Sequence, residues 1–308
     1  MARYLAVGNL LVENIVMPDG LELRDRLGGD AIYAAAGARA FVDDVQPVVR
    51  LGRGFPAGLL DTLQEAGYGE GLIPSEHPAI QLRVDWGVEG GSRFAFEPGS
   101  GTYEQATPTP EELPPGLADG LEAVHVAPIP FDLMAAWVRW ARPRARIVTI
   151  DPHYQHLRAD WPSVLPLVDA FLPSRAEAEG ILGGWPGPEE AARAVAARGA
   201  RLVCVKLGQD GAIGVRGDEV VIAPATRSST VDPTGCGDAF CGAFLVGLAE
   251  TGDLRVAMGY GAAAASFAAE DHGAAHALAI DPSLIRGRLD TAPCPMRRGA
   301  AKDGSSPE

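Results

Sequence analysis

From residue 123 onward, short apolar runs alternate with helical stretches, and that rhythm limits the fold more than any other feature of the chain. Residues 123–127 form a strand-like run before a helix over 131–141. Residues 146–150 precede a helical stretch near 161–167, and 170–172 precede a helix over 175–182. A further helix over 189–198 leads into an apolar strand at 201–206. Strands alternating with helices predict an α/β fold in which a parallel sheet is covered on both faces. Ligands in such sheets bind beyond the carboxyl ends of the strands. That rule singles out Asp151 in Asp-Pro-His-Tyr, Ser174, and the turn KLGQDG at 206–211. A polar loop residue is the commoner explanation for each alone; their joint placement at strand ends carries the argument.

Residues 231–244 read VDPTGCGDAFCGAF. A polar turn, Asp232-Pro233-Thr234-Gly235, leads into an apolar helix starting near Cys236, with Ala239, Phe240, Ala243, Phe244 and 246–248 at helical spacing. Gly235 and Gly237 flank the helix start and, lacking Cβ atoms, let backbone N–H groups come close to a ligand. The first N–H groups of a helix have no internal partner and carry the positive end of its dipole. The turn therefore suits a phosphate, or the charge that develops on one in flight. Asp238 sits beside the opening and is the natural proton acceptor for an attacking hydroxyl. For Gly-x-Gly-Asp alone, a helix start whose acid complements the dipole is the plainer alternative.

The full string resembles the signature of the ribokinase-like (PfkB) carbohydrate and nucleoside kinases, usually Asp-Thr-Thr-Gly-Ala-Gly-Asp, with Pro233 and Cys236 replacing the commoner Thr and Ala. The resemblance implies that Asp238 is the catalytic base, that the backbone of Gly235, Cys236 and Gly237 is the anion hole, and that Asp232 helps hold a cation. KLGQDG resembles the family's nucleotide-binding turn, which puts Lys206, Gly208 and Gly211 near ATP. Ser174-Arg-Ala-Glu177 lies where many members have Asn-x-x-Glu, linked to magnesium and phosphate; Glu177 is kept and Ser174 is a substitution. Potassium is placed by resemblance near the loop Asp271-His272-Gly273, after an alanine-rich helix over 254–269 that borders the adenine.

The start of the chain is similar to the same family. A strand at 4–8 is followed by a β-branched run at 10–16, then Gly28-Gly29-Asp30, then an alanine-rich helix over 31–41. By resemblance Glu13 is the carboxylate that binds substrate hydroxyls, with Gly28, Gly29 and Asp30 at the substrate. Tyr33 stands where the family often has Asn. Residues 79–86 and 93–96 read as a hairpin around Glu89-Gly90-Gly91 and, with 10–16, form the small β lid that the family commonly carries and sometimes dimerises through. Asp-Pro-His-Tyr resembles the Asp-Pro-Asn-x-Arg loop of some sugar kinases, but the substrate-binding Arg is absent, which argues against a phosphate or carboxylate on the substrate there. On residues alone, Glu13 as a solvated strand residue and Gly28-Gly29 as a plain turn stay open.

The resemblance covers the chain from 4 to 273 and implies a ribokinase-like three-layer α/β/α domain over 1–290, with lid strands near 10–16 and 79–97. Residues 291–308, polar and ending Ser-Ser-Pro-Glu, read as a disordered tail. It implies an ATP- and Mg²⁺-dependent kinase, with K⁺ a further cofactor, acting on a primary hydroxyl of a small sugar or sugar-like substrate, and a homodimer through the lid. A nucleoside kinase is the alternative, with Tyr33, Trp86 or Phe94 stacking on a base. A binding protein that keeps the fold without turnover is a third reading, favoured by Ser174 and the absent Arg and opposed by the intact Asp238.

Composition narrows the setting. The 308 residues are 47% hydrophobic, so an ordinary globular core is expected. A formal net charge of −14 argues against nucleic acid or an acidic membrane as partner, so an ATP site must rest on local N–H groups and cations. Cys204, Cys236, Cys241 and Cys294 include no Cys-x-x-Cys pair and fit reduced thiols in the cytoplasm. No apolar run is long enough to span a membrane and no signal peptide opens the chain. The sequence lacks Gly-x-x-x-x-Gly-Lys-(Ser/Thr), an early Gly-x-Gly-x-x-Gly, His-Glu-x-x-His and Gly-x-Ser-x-Gly, so P-loop, nicotinamide, zinc-peptidase and serine-hydrolase chemistries find no support.

Overall fold

The computed structural model describes residues 3–88, 91–226, 228–292 and 294–298. In chain order these form β1 (Arg3–Val7), β2 (Leu11–Val16), β3 (Glu22–Gly28), α1 (Asp30–Arg39), β4 (Val45–Arg53), α2 (Ala57–Glu65), β5 (Leu72–Pro78), β6 (Ile80–Val88), β7 (Gly91–Phe96) and the single turn α3 (Tyr103–Ala106). There follow β8 (Leu121–Val126), α4 (Phe131–Ala141), β9 (Ile147–Ile150), β10 (Ala170–Phe171), α5 (Arg175–Leu182), α6 (Pro188–Ala196), β11 (Val203–Lys206), β12 (Ala212–Arg216) and β13 (Glu219–Ala223). The chain closes with α7 (Cys236–Thr251), α8 (Leu254–Ala268), α9 (Ala274–Leu278), α10 (Pro282–Thr291) and β14 (Met296–Arg297).

The main sheet has the order β14-β13-β12-β11-β10-β9-β8-β1-β4-β5. Pairing is parallel from β5 through β11 and antiparallel from β11 to β14. The central strands are apolar on both faces, as a doubly covered sheet requires. In β1, Leu5 and Val7 pack with α4, α5 and α6, while Tyr4 and Ala6 pack with α1 and α7. Three layers result, with α1, α7 and α8 on one side of the sheet.

Small residues set the spacing of that side. A Cβ on Gly242 of α7 would lie 1.8 Å from the carbonyl oxygen of Ala34, and one on Gly37 of α1 would lie 2.1 Å from that of Ala239. The two helices therefore touch backbone to backbone. This contact fixes where α7 begins, and with it the turn that precedes it. Residues 239–249 of α7 are buried without a break, so the helix is held by packing around its whole circumference.

A second, four-stranded sheet, β3-β2-β6-β7, pairs β2 with β6 in parallel and the outer strands antiparallel. It contains the expected lid strands; Glu89 and Gly90 of the expected turn lie outside the described residues. The pattern of the sequence does not announce β3, because its charged face is exposed along the edge of the lid. The helix expected near 161–167 is instead two short 3₁₀ turns, Trp161–Ser163 and Leu165–Leu167. Pro166 explains the change: it has no N–H to donate and disfavours helical backbone at the residue before it. The disordered tail expected from 291 does not hold for 294–298, where Met296 and Arg297 pair with β13 and the Arg298 N–H donates to the Val220 carbonyl. Edge pairing uses backbone groups, so the polar composition gave no warning of it. The domain thus extends past 290, and residues 299–308 lie outside the described residues. No helix among the described residues is long and apolar enough to cross a membrane.

Candidate active site

The site is built around the start of α7. Gly235 has a φ of +72°, a left-handed conformation that glycine takes without strain. A Cβ there would also lie 2.3 Å from the Tyr33 ring, so glycine is required twice over. The Asp232 carboxylate accepts from the Thr234 N–H at 2.9 Å and tightens the turn. Cys236, Gly237 and Asp238 form the first turn of the helix, where the N–H groups lack helical partners. Asp238 is half-buried. Enclosure by protein pushes its pKa from 3.8 to about 8; the Asp30 charge adds to this and the Lys206 ammonium opposes it.

Lys206, at the carboxyl end of β11, reaches under this turn. Its ammonium donates to Asp151 at the end of β9 and to Cys241 Sγ at 3.4 Å. Burial pulls the ammonium pKa down, but Asp151, joined by Cys241, Glu177 and Asp238, outweighs burial and raises it. A Cβ on Gly237 would come within 3.5 Å of the Lys206 Nζ, so the cation lies directly behind the expected anion hole. Gly208 and Gly211 follow Lys206, as the nucleotide-binding turn requires. Together Lys206, Gly208, Gly211, Cys236 and Gly237 border a cavity of about 500 Å³ between β11–β13, the start of α7 and the end of α8. Ala223, Ala262, Ala265, Ala269 and Phe240 give that cavity flat apolar walls, and Gln209, Thr226, Ser228, Thr230 and Ser266 supply polar groups. Its size and mixed lining suit a flat heterocycle with a polar tail.

On the other side of the α7 opening lies an acidic cluster. Glu13 comes from β2 and sits against the end of β3: a Cβ on Gly28 would fall 2.0 Å from its carboxyl carbon. Burial pushes the Glu13 pKa to about 8, helped by the Asp232 charge. Asp30 opens α1 and accepts from the Asn9 N–H at 2.6 Å, the Asn9 side-chain amide at 3.0 Å and the Ala31 N–H at 2.6 Å. Burial still raises its pKa to about 7, against those hydrogen bonds. Much of the Asp30 carboxylate is thus committed to bracing the loop after β1. Gly29 has a φ of +116° and lies against the Asn9 carbonyl, which completes that brace. Glu13 Oε2, the Tyr33 hydroxyl, Asp151 Oδ1 and Asp232 Oδ2 are buried without hydrogen-bond partners. Such atoms are rare in native proteins; Glu13 and Tyr33 stand beside the α7 opening, where a polar ligand would complete them, whereas Asp232 Oδ2 faces His272 and Asp151 lies with Lys206.

The structure sets Ser174 and Glu177 at the start of α5 in a reciprocal capping box, with the Glu177 carboxylate accepting the Ser174 N–H at 2.7 Å. Glu177 raises the Asp238 pKa, so its charge reaches the site. Asp232, expected at a cation, points toward the loop after α8, with His272 Nδ1 at 3.5 Å from its Oδ2. Among the described residues no three His, Cys, Asp or Glu side chains form a ready-made metal cage. That donor set fits a magnesium ion that arrives with nucleotide phosphates and needs one carboxylate from the protein. Cys236 is not activated as a nucleophile: burial, with Asp232, pushes its thiol up to about 12.

Sequence reasoning does not reach several groups that the fold brings here. Asn9 is fixed by the Thr107 hydroxyl at 2.8 Å, across 98 residues. The strand-end rule that found Asp151 would also have found Asn9, just after β1. Tyr103 and His153 make an edge contact with centroids 4.8 Å apart; His153 stacks on Tyr154, and Tyr154 lies near Phe94 of the lid. Tyr33, considered for stacking on a ligand, is 1% exposed and packs its ring on Gly235 instead. Trp86 spans from the lid to the α7 turn, its indole N–H donating to Thr234 Oγ1 at 3.0 Å.

A family profile described as pfkB family carbohydrate kinase matches residues 119–281, more than half of the chain. Cytidine kinase of Thermococcus kodakarensis is 27% identical over 255 residues, covering 80% of this chain and 88% of that protein. Among solved structures, an Escherichia coli ribokinase II in complex with ATP and Mg²⁺ superposes with a TM-score of 0.76 at 19% identity, covering 94% of this chain and 100% of that one. The Methanocaldococcus jannaschii nucleoside kinase gives a TM-score of 0.74 at 19% identity, over 94% of this chain and 99% of the other. At these identities the two structures speak for the fold alone, and they share its layered sheet and lid.

Proposed function

The chain belongs to the pfkB family of carbohydrate kinases, and on that footing we propose that it transfers the γ-phosphate of ATP to a hydroxyl, of the primary kind, on a small sugar or sugar-like molecule. One observation carries this reading. A carboxyl with a raised pKa lies in the first turn of α7, beside N–H groups that lack helical partners and between an acidic pocket and a cavity sized for a nucleotide. The Asp238 carboxylate takes the hydroxyl proton as the oxygen attacks. The N–H groups of Gly235, Cys236 and Gly237, backed by Lys206, meet the charge that spreads over the phosphoryl group. Magnesium, when bound with ATP, neutralises phosphate charge; Glu177 is the side chain that holds it from the protein side. Asp232 is the group that would face a monovalent cation. Glu13 accepts hydrogen bonds from substrate hydroxyls, with Gly28, Gly29 and Asp30 shaping the floor. The cluster Glu13, Asp30, Asp232 and Asp238 repels anions, which suits a neutral acceptor. A cytosolic setting, with ATP and reduced thiols at hand, goes with this reading, and the lid is the surface through which a homodimer would form.

A nucleoside acceptor is the second reading. It is favoured by the aromatic row Tyr103, His153, Tyr154 and Phe94, with Phe94 44% and Tyr154 48% exposed and open to a planar ring. The similarity to a cytidine kinase over 80% of this chain points the same way. Incubating the protein with ATP, Mg²⁺ and a panel of sugars and nucleosides, scored by ADP release, decides between the readings. No ADP above the acceptor-free rate with any member of the panel removes the kinase reading and leaves a ligand-binding protein.

A further inference from the structure

We propose that Trp86 is a positioning residue for phosphoryl transfer, coupling the lid sheet to the anion-binding turn through its hydrogen bond to Thr234. The proposal rests on the kinase reading for its purpose, but not for its geometry. Trp86 lies on β6, an inner strand of the lid, and its ring packs against the lid core of Ile15, Val84 and their neighbours. Its N–H crosses 148 residues of sequence to reach Thr234 Oγ1 at 3.0 Å. Thr234 is itself held by its N–H to Asp232 and is followed directly by Gly235.

The chemistry of the bond makes it directional. An indole N–H only donates, so the Thr234 hydroxyl accepts from it and keeps its own proton for another acceptor. Phosphate oxygens at the mouth of α7 are acceptors of that kind. Fixing the Thr234 rotamer from the lid therefore points a donor toward the place where the phosphoryl group passes. The lid strand β6 is paired directly to β2, which carries Glu13. One rigid sheet thus holds the acceptor-binding carboxylate and the group that sets the phosphate turn. A displacement of the β2–β6 pair would therefore carry Glu13 and release the Thr234 hydroxyl together.

Hydrogen–deuterium exchange on the full chain tests the coupling without an acceptor. Trp86→Phe keeps an aromatic ring and removes the donor; Thr234→Val keeps the shape and removes the acceptor; Thr234→Ser keeps the hydroxyl. The expected result is reciprocal, because coupling between two sites acts equally in both directions. Exchange of amides at 232–238 rises at least threefold in Trp86→Phe, and exchange in β6 rises at least threefold in Thr234→Val. Thr234→Ser restores both. Adding AMP-PNP and Mg²⁺ to the wild type slows exchange in β6, and Trp86→Phe abolishes that relay. Effects confined to the lid in Trp86→Phe and to the turn in Thr234→Val would overturn the proposal, whatever the nucleotide does. A failed kinase reading shows differently: AMP-PNP then changes nothing in the wild type, while the reciprocal effects of the variants persist.

Discussion

Replacing Asp238 with Asn separates the chemistry of the site from its stability, and the two are expected to move in opposite directions. The carboxyl has a pKa of 3.8 in an unfolded chain and about 8 in the fold, chiefly because protein encloses it and secondly because Asp30 lies near. Between those values the folded protein holds a proton that the unfolded chain has released. Unfolding then releases protons, so stability falls as pH rises from about 4 to about 8, and the full penalty is present above pH 8. The difference corresponds to roughly 6 kcal/mol for an isolated group, at about 1.4 kcal/mol per pKa unit. Glu13 and Asp30 share the field, and relaxation of the half-open site reduces the figure, so a gain of about 1–3 kcal/mol at pH 8 is expected for Asn. Calorimetry at pH 5 and pH 8 should show Asp238→Asn with a higher Tm at pH 8 and a much smaller gain at pH 5. Turnover, measured as ADP release with the best acceptor, should fall by roughly 10²–10⁴, the usual size of a general-base effect. For the wild type, kcat/KM should climb with pH through about 8, because only the ionised carboxyl accepts a proton. Unchanged turnover in Asp238→Asn would take this residue out of the mechanism. A Tm that drops at pH 8 would refute the electrostatic account of the cluster.

Other parts of the site give sharper local outcomes. Glu13→Gln should raise KM for the acceptor by about 10- to 100-fold and leave KM for ATP unchanged in steady-state assays, since a lost charged hydrogen bond is worth roughly 1.5–3 kcal/mol. Lys206→Met strands Asp151 in the interior and should lower stability by about 3–5 kcal/mol in urea melts; the double variant with Asp151→Asn should recover much of it. Gly242→Ala drives a methyl to 1.8 Å from the Ala34 carbonyl and should lower stability by about 1–3 kcal/mol, whereas Gly58→Ala on α2 meets nothing within 4 Å and should raise it by about 0.5–1 kcal/mol. Phe94→Ala and Tyr154→Ala should weaken nucleosides more than simple sugars in the ADP-release panel; equal losses would exclude the aromatic row from base recognition.

What could be read from the sequence was local or periodic. Asp232 to Asp238 are contiguous, so the turn, the helix start and the acid beside it are visible in one string. The strands from β8 to β11 are visible because burial on both faces leaves mostly apolar residues in them, with His125 and Thr149 pairing as buried polar exceptions. The lid was half visible: β2 and β6 carry β-branched runs, but β3 bears its charges on an exposed edge and looks like a loop. The remaining parts of the site come from contacts that cross the fold. Asn9 meets Thr107, Asp151 meets Lys206, and Trp86 meets Thr234, over separations of 98, 55 and 148 residues. No pattern along the chain encodes those meetings, because each depends on which strands become neighbours in the sheet. The capping box at Ser174 shows the converse. Its spacing is plain in the sequence, yet whether the Glu177 carboxylate serves the helix, a metal or both depends on what stands opposite α5.

The division of charge around α7 follows from this arrangement. The protein carries a net charge of −14, which opposes binding of a polyanion such as ATP at long range. The cavity side of the helix start answers with Lys206 and the first amides of α7, which act at contact distance where screening matters little. The opposite side gathers Glu13, Asp30 and Asp232; burial first, with the Asp232 charge beside Glu13 and the Asp151 charge near Asp30, holds Glu13 and Asp30 partly protonated near neutral pH. A protonated carboxyl donates and an ionised one accepts, so that pocket offers both to hydroxyl groups, which do the same. Asp238 stands on the boundary between the two. Its raised pKa comes first from enclosure by protein and second from Asp30 on the acidic side, and the ammonium behind Gly237 limits the rise. The same crowding that makes the carboxyl costly to ionise makes it a stronger base once ionised, and the proposed transfer of a phosphoryl group toward the acidic pocket rests on that asymmetry.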